Sequence, residues 1–120
     1  MRLRPGDIVV VDWRDAFPKE ANKVRPAIVV EDTRLFDEDY ANVVLVPITE
    51  DRELSMRSLS VELRPTKENG CTKRCYAVSH SVTTTSKRRI RQTPSRITAE
   101  QLRRIREQIV ETIGMPIVLP

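Results

Sequence analysis

The chain has 120 residues, of which 39% are hydrophobic and 32% are charged. This composition is typical of one globular domain and excludes an intrinsically disordered chain. No apolar run approaches the ~20 residues that a membrane-spanning helix needs, and residues 1–7 lack the apolar segment of a signal peptide. We therefore expect a single domain over residues 1–120 that is cytoplasmic and has no membrane partner.

Charge is distributed unevenly along the chain. The formal net charge is +4, but residues 1–60 sum to −3 and residues 61–120 to +7. A basic half on a small domain is typical of a polyanion partner, although a solvated basic surface gives the same pattern. The densest basic cluster, Lys87-Arg88-Arg89-Ile90-Arg91, favours nucleic acid.

The first half of the chain predicts buried strands separated by polar loops. Four consecutive β-branched residues at 8–11 indicate a strand that is buried on both faces. A proline is tolerated at the first position of a strand, so Pro26 opens the second one, and Pro47 ends the third. We predict strands over residues 7–13, 26–30 and 43–46, with loops over 14–25 and 32–40.

The second half predicts two more strands and one helix. Apolar and polar residues alternate over 58–63, turn-forming residues follow over 65–74, and Val and Thr dominate a long strand over 76–85. Thr98 with Gln101 forms a capping box that starts a helix, and Gly114 with Pro116 ends it. Residues 117–119 suggest a short edge strand. About five strands closed by one helix indicate a mainly β (α+β) fold, either a small barrel or a curled sheet.

Three residues have the chemistry of a catalytic site. Arg25 follows a long polar loop and precedes Pro26, so its guanidinium is well placed for phosphate oxygens; a solvated strand-end arginine is the alternative. Thr49 follows a buried strand, where it either orients a substrate or forms a turn. His80 is the only histidine, and its near-neutral pKa makes it a candidate base; the alternative is an outward-facing strand residue.

Two further features leave alternatives open. Cys71 and Cys75, with His80 five residues on, are one ligand short of a closed zinc site. The pair is therefore either inert, a redox-labile disulfide or a weak metal site. Thr83 to Ser86 runs into Lys87-Arg88-Arg89, and hydroxyls and cations of this kind bind phosphate or protect an edge strand.

Several of these segments together resemble the MazF/PemK family of toxins from type II toxin–antitoxin systems. The resemblance rests on Gly6 to Trp13, on Lys23 to Val30, on Val43 to Thr49 and, less closely, on Ser79 to Ile90, and it covers residues 4–114. It implies a small SH3-like barrel of about five to seven strands with a C-terminal helix, usually a homodimer. It further implies a metal-independent endoribonuclease that needs no cofactor, cleaves single-stranded RNA such as mRNA, and is blocked by a cognate antitoxin.

The resemblance also implies roles for individual residues. Arg25 and Thr49 match the positions that carry the chemistry. Independently of the resemblance, arginine is a poor base because its pKa stays above ~12, so we hypothesise that His80 or Glu20 accepts the proton. The chain departs from the family pattern because residues 21–23 contain no glycine, and because His80 and Ser81 replace an acidic residue and a Gln. We expect the catalytic residues to be Arg25, Thr49 and His80, and the RNA-binding residues to be Glu20, Lys23, Ser81, Lys87 and Arg89.

Two other functions fit the same fold. The first is a non-cleaving protein that binds DNA gyrase or nucleic acid. The second is a degenerate family member that serves as a repressor subunit, which the presence of both Arg25 and Thr49 disfavours.

Overall fold

The computed structural model describes residues 1–14 and 24–115. In these residues seven strands precede one helix. They are β1 (Asp7–Asp12), β2 (Val24–Val29), β3 (Asn42–Thr49), β4 (Ser60–Leu63), β5 (Cys75–Val78), β6 (Thr83–Ser86), β7 (Ile90–Arg96) and α1 (Ala99–Thr112). Short 3-10 turns precede β4, separate β5 from β6, and separate β6 from β7. Within the described ranges, no helix combines the length and the apolar character that a membrane crossing requires.

The strands form one antiparallel sheet in the order β4-β5-β3-β2-β1-β7, and β6 also pairs with β3. Strand β3 is the centre of the sheet: β2 lies along one edge, while β6 and then β5 share the other. The predicted mainly β fold with a C-terminal helix is confirmed. Its strand-pairing path is that of an open sheet, so of the two predicted architectures the curled sheet describes it better than the closed barrel.

Both faces of the sheet are buried, as the unbroken apolar run in β1 predicts. Successive side chains of a strand point to opposite faces, so Ile8 packs in one cluster while Val9 and Val11 pack in another. The first cluster includes Ile105, a fully buried residue of α1. The second includes Trp13 but no residue of α1. Among the described residues, the helix therefore covers only one of the two faces.

The capping box and the end of the helix are confirmed. The Thr98 side chain accepts from the Gln101 backbone N–H at 3.1 Å, and the Gln101 side chain accepts from the Thr98 N–H at 2.9 Å. Gly114 follows the helix at φ +88°, the left-handed conformation that favours glycine at this position. The predicted edge strand over 117–119 lies outside the described residues.

Three strand predictions are wrong. The strand predicted over 76–85 is divided by a turn at Ser79–Ser81, because buried Ser79 donates to Gln108 of α1 at 2.6 Å. Strand β3 continues through Pro47 to Thr49. On one side it pairs with β6 up to Leu45 and with β5 from Ile48 onward, so Pro47 lies between the two partners and needs no N–H to donate to either. Strand β7 was not predicted, because Ile90 is its one buried residue and the strand lies along an edge beside β1.

Candidate functional site

A pocket of about 680 Å³ opens where β2 begins and the antiparallel β3 ends. Its walls come from these strands, from the β4–β5 turn (residues 64–74) and from β7. The polar and charged residues that line it are Arg25, Thr49, Glu50, Asp51, Asn69, Thr72, Lys73, Thr93 and Ser95. Two of the three predicted catalytic residues, Arg25 and Thr49, are therefore in one cavity.

The strand register explains why Arg25 and Thr49 meet. Strands β2 and β3 pair antiparallel, and Ala27 stands opposite Pro47. Continuing this register by two residues places Arg25 opposite Thr49. Residues two apart on a strand share a face, so the two side chains project in the same direction from neighbouring strands. Arg25 is half-buried, and no described carboxylate lies within ion-pair distance of it, which leaves its guanidinium available to an anion.

Thr49 is both a turn residue and a wall of the pocket. Its Oγ1 accepts from the Asp51 N–H at 3.0 Å, which is the turn-forming role considered from the sequence. The residue is 8% exposed, and that bond uses the oxygen only as an acceptor. The turn thus fixes the position of the oxygen, while the hydroxyl hydrogen can rotate toward an acceptor in the pocket.

The β4–β5 turn supplies a wall that the sequence did not predict. Buried Asn69 accepts through Oδ1 from the N–H groups of Thr66 (3.0 Å) and Cys71 (2.9 Å), and donates through Nδ2 to the Arg64 carbonyl (2.8 Å). Gly70 follows at φ +65°. A Cβ built on Gly70 would lie 2.5 Å from Oγ of Ser95, so the turn and β7 approach more closely than a larger residue permits.

The charged groups that line the pocket nearly balance. Arg25 and Lys73 are the cations of the described lining, and Glu50 and Asp51 are the anions. An anionic ligand is therefore held by the position of individual cations rather than by a general positive field. Lys73 was not among the predicted site residues, because a lysine in a turn has no distinguishing pattern in the sequence.

Cys71 and Cys75 are free thiols in the same wall, with their sulfurs 3.5 Å apart. Burial raises the pKa of the Cys75 thiol to about 12, and its hydrogen bond with Cys71 adds to this effect. In the described part of the chain, no group of three His, Cys, Asp or Glu side chains is placed to hold a metal ion. The zinc arrangement considered for Cys71, Cys75 and His80 is therefore not formed.

His80 and Ser81 do not line the pocket. They lie in the Ser79–Ser81 turn, which packs against α1. His80 is half-buried, and its Nδ1 is buried with no hydrogen-bond partner among the described residues. The strand predicted over 76–85, in which His80 was expected, is the one that this turn divides.

The basic cluster after β6 also lies elsewhere. Lys87 donates from Nζ to the Glu38 carbonyl at 3.1 Å and lines a separate pocket of about 260 Å³. Arg89 donates to the carbonyls of Asp12 (3.2 Å) and Arg14 (3.1 Å), at the end of β1. Arg89 thus anchors the chain where the segment 15–23 departs. Glu20 and Lys23 lie in that segment, outside the described residues.

Comparison with known proteins identifies the family to which the chain belongs. The family model described as the PemK-like, MazF-like toxin of a type II toxin–antitoxin system matches residues 4–113. The chain therefore belongs to this family, and the resemblance inferred from the sequence is confirmed. A comparison with curated protein sequences finds no match.

Solved structures agree on the fold. MazF from Deinococcus radiodurans is 18% identical, with a TM-score of 0.77 over 96% of this chain and 99% of that one. A mycobacterial endoribonuclease in complex with its cognate antitoxin is 18% identical, with a TM-score of 0.73 over 98% and 100%. A MazE–MazF complex from Deinococcus radiodurans is 16% identical, with a TM-score of 0.71 over 97% and 99%.

Proposed function

We propose that this protein is an endoribonuclease that cleaves single-stranded RNA, mRNA in particular, as the toxin of a type II pair. The observation that carries the proposal is the placement of Arg25 and Thr49 on the wall of one pocket. Relatives of the same fold that are described as endoribonucleases support it. Membership in the toxin family supports it independently.

The proposed reaction begins with attack of an RNA 2′-OH on the adjacent 3′-phosphate. The new O–P bond gives a cyclic phosphate, and the bond to the 5′-oxygen breaks. Negative charge gathers on the phosphoryl oxygens, where the free Arg25 guanidinium stabilises it. The Thr49 hydroxyl, held by its turn, donates to a phosphate oxygen or to the leaving oxygen. The nucleophile is part of the substrate, so this step needs no metal-activated water.

A base must accept the proton of the 2′-OH, and arginine is unsuitable because its pKa stays above ~12. His80 lies outside the pocket lining, so we assign this role to a carboxylate. Glu50 is in the lining, and its oxygens accept no hydrogen bond from a described residue. Glu20, the other carboxylate proposed from the sequence, remains a candidate in the segment that precedes β2.

The remaining RNA contacts and partners follow from the same proposal. Beyond the pocket, we assign RNA binding to Glu20, Lys23, Ser81, Lys87 and Arg89, with Lys73 added from the structure. We further propose that the protein is a cytoplasmic homodimer and that a cognate antitoxin covers the RNA site. The relatives solved with an antitoxin support the last assignment.

The test is cleavage of a long, defined single-stranded RNA in EDTA, with the cut ends mapped. We expect discrete cuts that end in a cyclic phosphate, and a loss of about a hundred-fold or more in Arg25→Ala, as for removal of one transition-state donor. Arg25→Lys keeps the charge without the fork and should recover only part of the rate. Arg104→Ala removes an exposed arginine of α1 and is the matched control, with unchanged cleavage expected.

Three further variants assign the other groups. Thr49→Ser keeps the hydroxyl and should retain activity, whereas Thr49→Val should lose it. Glu50→Gln should strongly reduce cleavage, and His80→Gln should leave it unchanged. Full activity of Arg25→Ala would refute the site. No cleavage by folded, antitoxin-free protein would refute the activity and favour the gyrase- or nucleic-acid-binding alternative.

A further inference from the structure

We propose that Cys71 and Cys75 are an oxidation site at which a hydroperoxide converts the two thiols to an intramolecular disulfide and so weakens RNA binding. The first half of this inference concerns the thiols alone. The second half rests on the proposed RNA site, because both cysteines line its pocket.

The geometry is that of a pair ready to bond. The two sulfurs are 3.5 Å apart and both residues are free thiols. A disulfide needs about 2.05 Å between sulfurs, so an approach of ~1.5 Å suffices. Cys75 is 5% exposed and packs in the core, whereas Cys71 is half-buried at the pocket wall. The movement therefore falls on Cys71 and the residues attached to it.

The same difference in burial determines which of the two thiols reacts with the peroxide first. The sulfur of Cys71 attacks the peroxide, the O–O bond breaks, and the products are Cys71 sulfenic acid and water or an alcohol. The Cys75 sulfur then attacks the sulfenic sulfur, the S–O bond breaks, and the S–S bond forms as a second water leaves. The two thiols lose two electrons and the peroxide gains them. The raised pKa of Cys75 makes the second step slower at neutral pH than at alkaline pH.

The disulfide would act on the pocket through the residues that it encloses. Thr72, Lys73 and Arg74 lie between the two cysteines, and the first two line the pocket. Lys73 shares the described lining with one other cation, Arg25. Closing this five-residue ring shifts Lys73 relative to Arg25, and the cavity then presents a poorer match to two phosphates of one RNA strand.

The first experiment measures the bond itself. The full-length protein is treated with hydrogen peroxide, alkylated under denaturing conditions and weighed by intact mass spectrometry. We expect two alkyl additions before treatment, none after it, and two again after a thiol reductant. Cys71→Ser and Cys75→Ser are the matched controls: Cys75→Ser should progress to sulfinic acid or to a dimer, whereas Cys71→Ser keeps only the buried thiol and should retain it in the reduced form. Two alkylated thiols after treatment, or a disulfide that joins two chains, would overturn the proposal.

The second experiment measures the consequence. Binding is followed with a fluorescent single-stranded RNA whose 2′-O-methyl groups prevent cleavage. We expect about five-fold weaker binding after oxidation, as for the loss of one exposed charge contact, with recovery on reduction and no such change in Cys75→Ser. An intramolecular disulfide with unchanged affinity would overturn the regulatory half. Absence of binding by the reduced protein would count against the proposed function instead, so the two failures are distinguishable.

Discussion

Replacing Asn69 with alanine tests whether the β4–β5 turn is held by one side chain. Asn69 is 4% exposed and makes three side-chain hydrogen bonds, two as acceptor and one as donor. The partners also settle the orientation of the amide, because the oxygen faces two N–H groups and the nitrogen faces a carbonyl. Alanine removes all three bonds and leaves those backbone groups without their partners.

The expected cost follows from these contacts. A net contribution of ~1 kcal/mol for each hydrogen bond gives a loss of about 3 kcal/mol in the free energy of unfolding. A domain of 120 residues has an unfolding entropy of roughly 0.25 kcal/mol/K, so the midpoint should fall by about 12 °C. Asn69→Asp keeps both acceptor contacts but loses the donor to the Arg64 carbonyl, and it should lie between wild type and alanine.

Thermal and urea unfolding, each followed by circular dichroism, provide the measurement. Lys67→Ala changes an exposed residue of the same turn and is the matched control, expected within ~0.5 kcal/mol of wild type. The same variants should show weakened RNA binding in the order of their stability loss, since Asn69 positions Gly70 and Cys71 at the pocket. A cost below ~1 kcal/mol for Asn69→Ala would refute the reasoning.

Three other perturbations test the framework around the site. Thr98→Ala should lower the free energy of unfolding by about 1 kcal/mol because it removes the capping box, whereas Thr98→Ser keeps the hydroxyl and should leave that free energy unchanged. Equal losses in the two variants would contradict the capping role. Arg106→Ala should lower the free energy of unfolding by ~2 kcal/mol, because the Arg106 guanidinium donates to the carbonyls of Val30 and Glu31. Arg104→Ala is the neutral control, and similar urea midpoints for the two variants would contradict the role of these hydrogen bonds. Burial raises the pKa of the Cys75 thiol from 9.0 to about 12, so the folded protein holds this proton more tightly than the unfolded chain. The free energy of unfolding should therefore be unaffected below pH 9 and should fall by up to ~1.4 kcal/mol per pH unit as the pH rises toward 12. Cys75→Ala should show a smaller decrease in urea unfolding over this range, and an equal decrease would contradict the burial.

Features set by neighbouring residues could be predicted from the sequence. The capping box of α1 needs only Thr98 and Gln101, and β1 needs only its run of β-branched residues. The break at Ser79–Ser81 could not be predicted, because it depends on a hydrogen bond to Gln108, 29 residues further along the chain. His80 was therefore given the environment of a strand that tertiary contacts interrupt.

The candidate site, like the fold, has some features that could be predicted from the local sequence and others that depend on tertiary contacts. Arg25 could be selected from its place before Pro26 and Thr49 from its place after a buried strand, since those places are local. Their position opposite each other depends on the pairing of β2 with β3, which single-strand patterns do not contain. Gly70 was missed because its role arises from the close approach of the turn to Ser95 of β7, and Lys73 because its place in the lining depends on how that turn folds over the pocket.

This division suggests how the two sides of the pocket contribute to activity. Arg25 is fixed by the pairing of β2 with β1 and Thr49 by the pairing of β3 with β5, where a shift of one residue would turn each side chain to the other face of the sheet. The opposite wall is a turn whose shape depends on Asn69 and on the close approach of Gly70 to Ser95. Groups on the rigid side should therefore determine the rate of the chemical step. Changes in the turn, including oxidation of its cysteines, should instead be expressed in affinity for RNA, because they move a binding wall and leave the reacting groups in place.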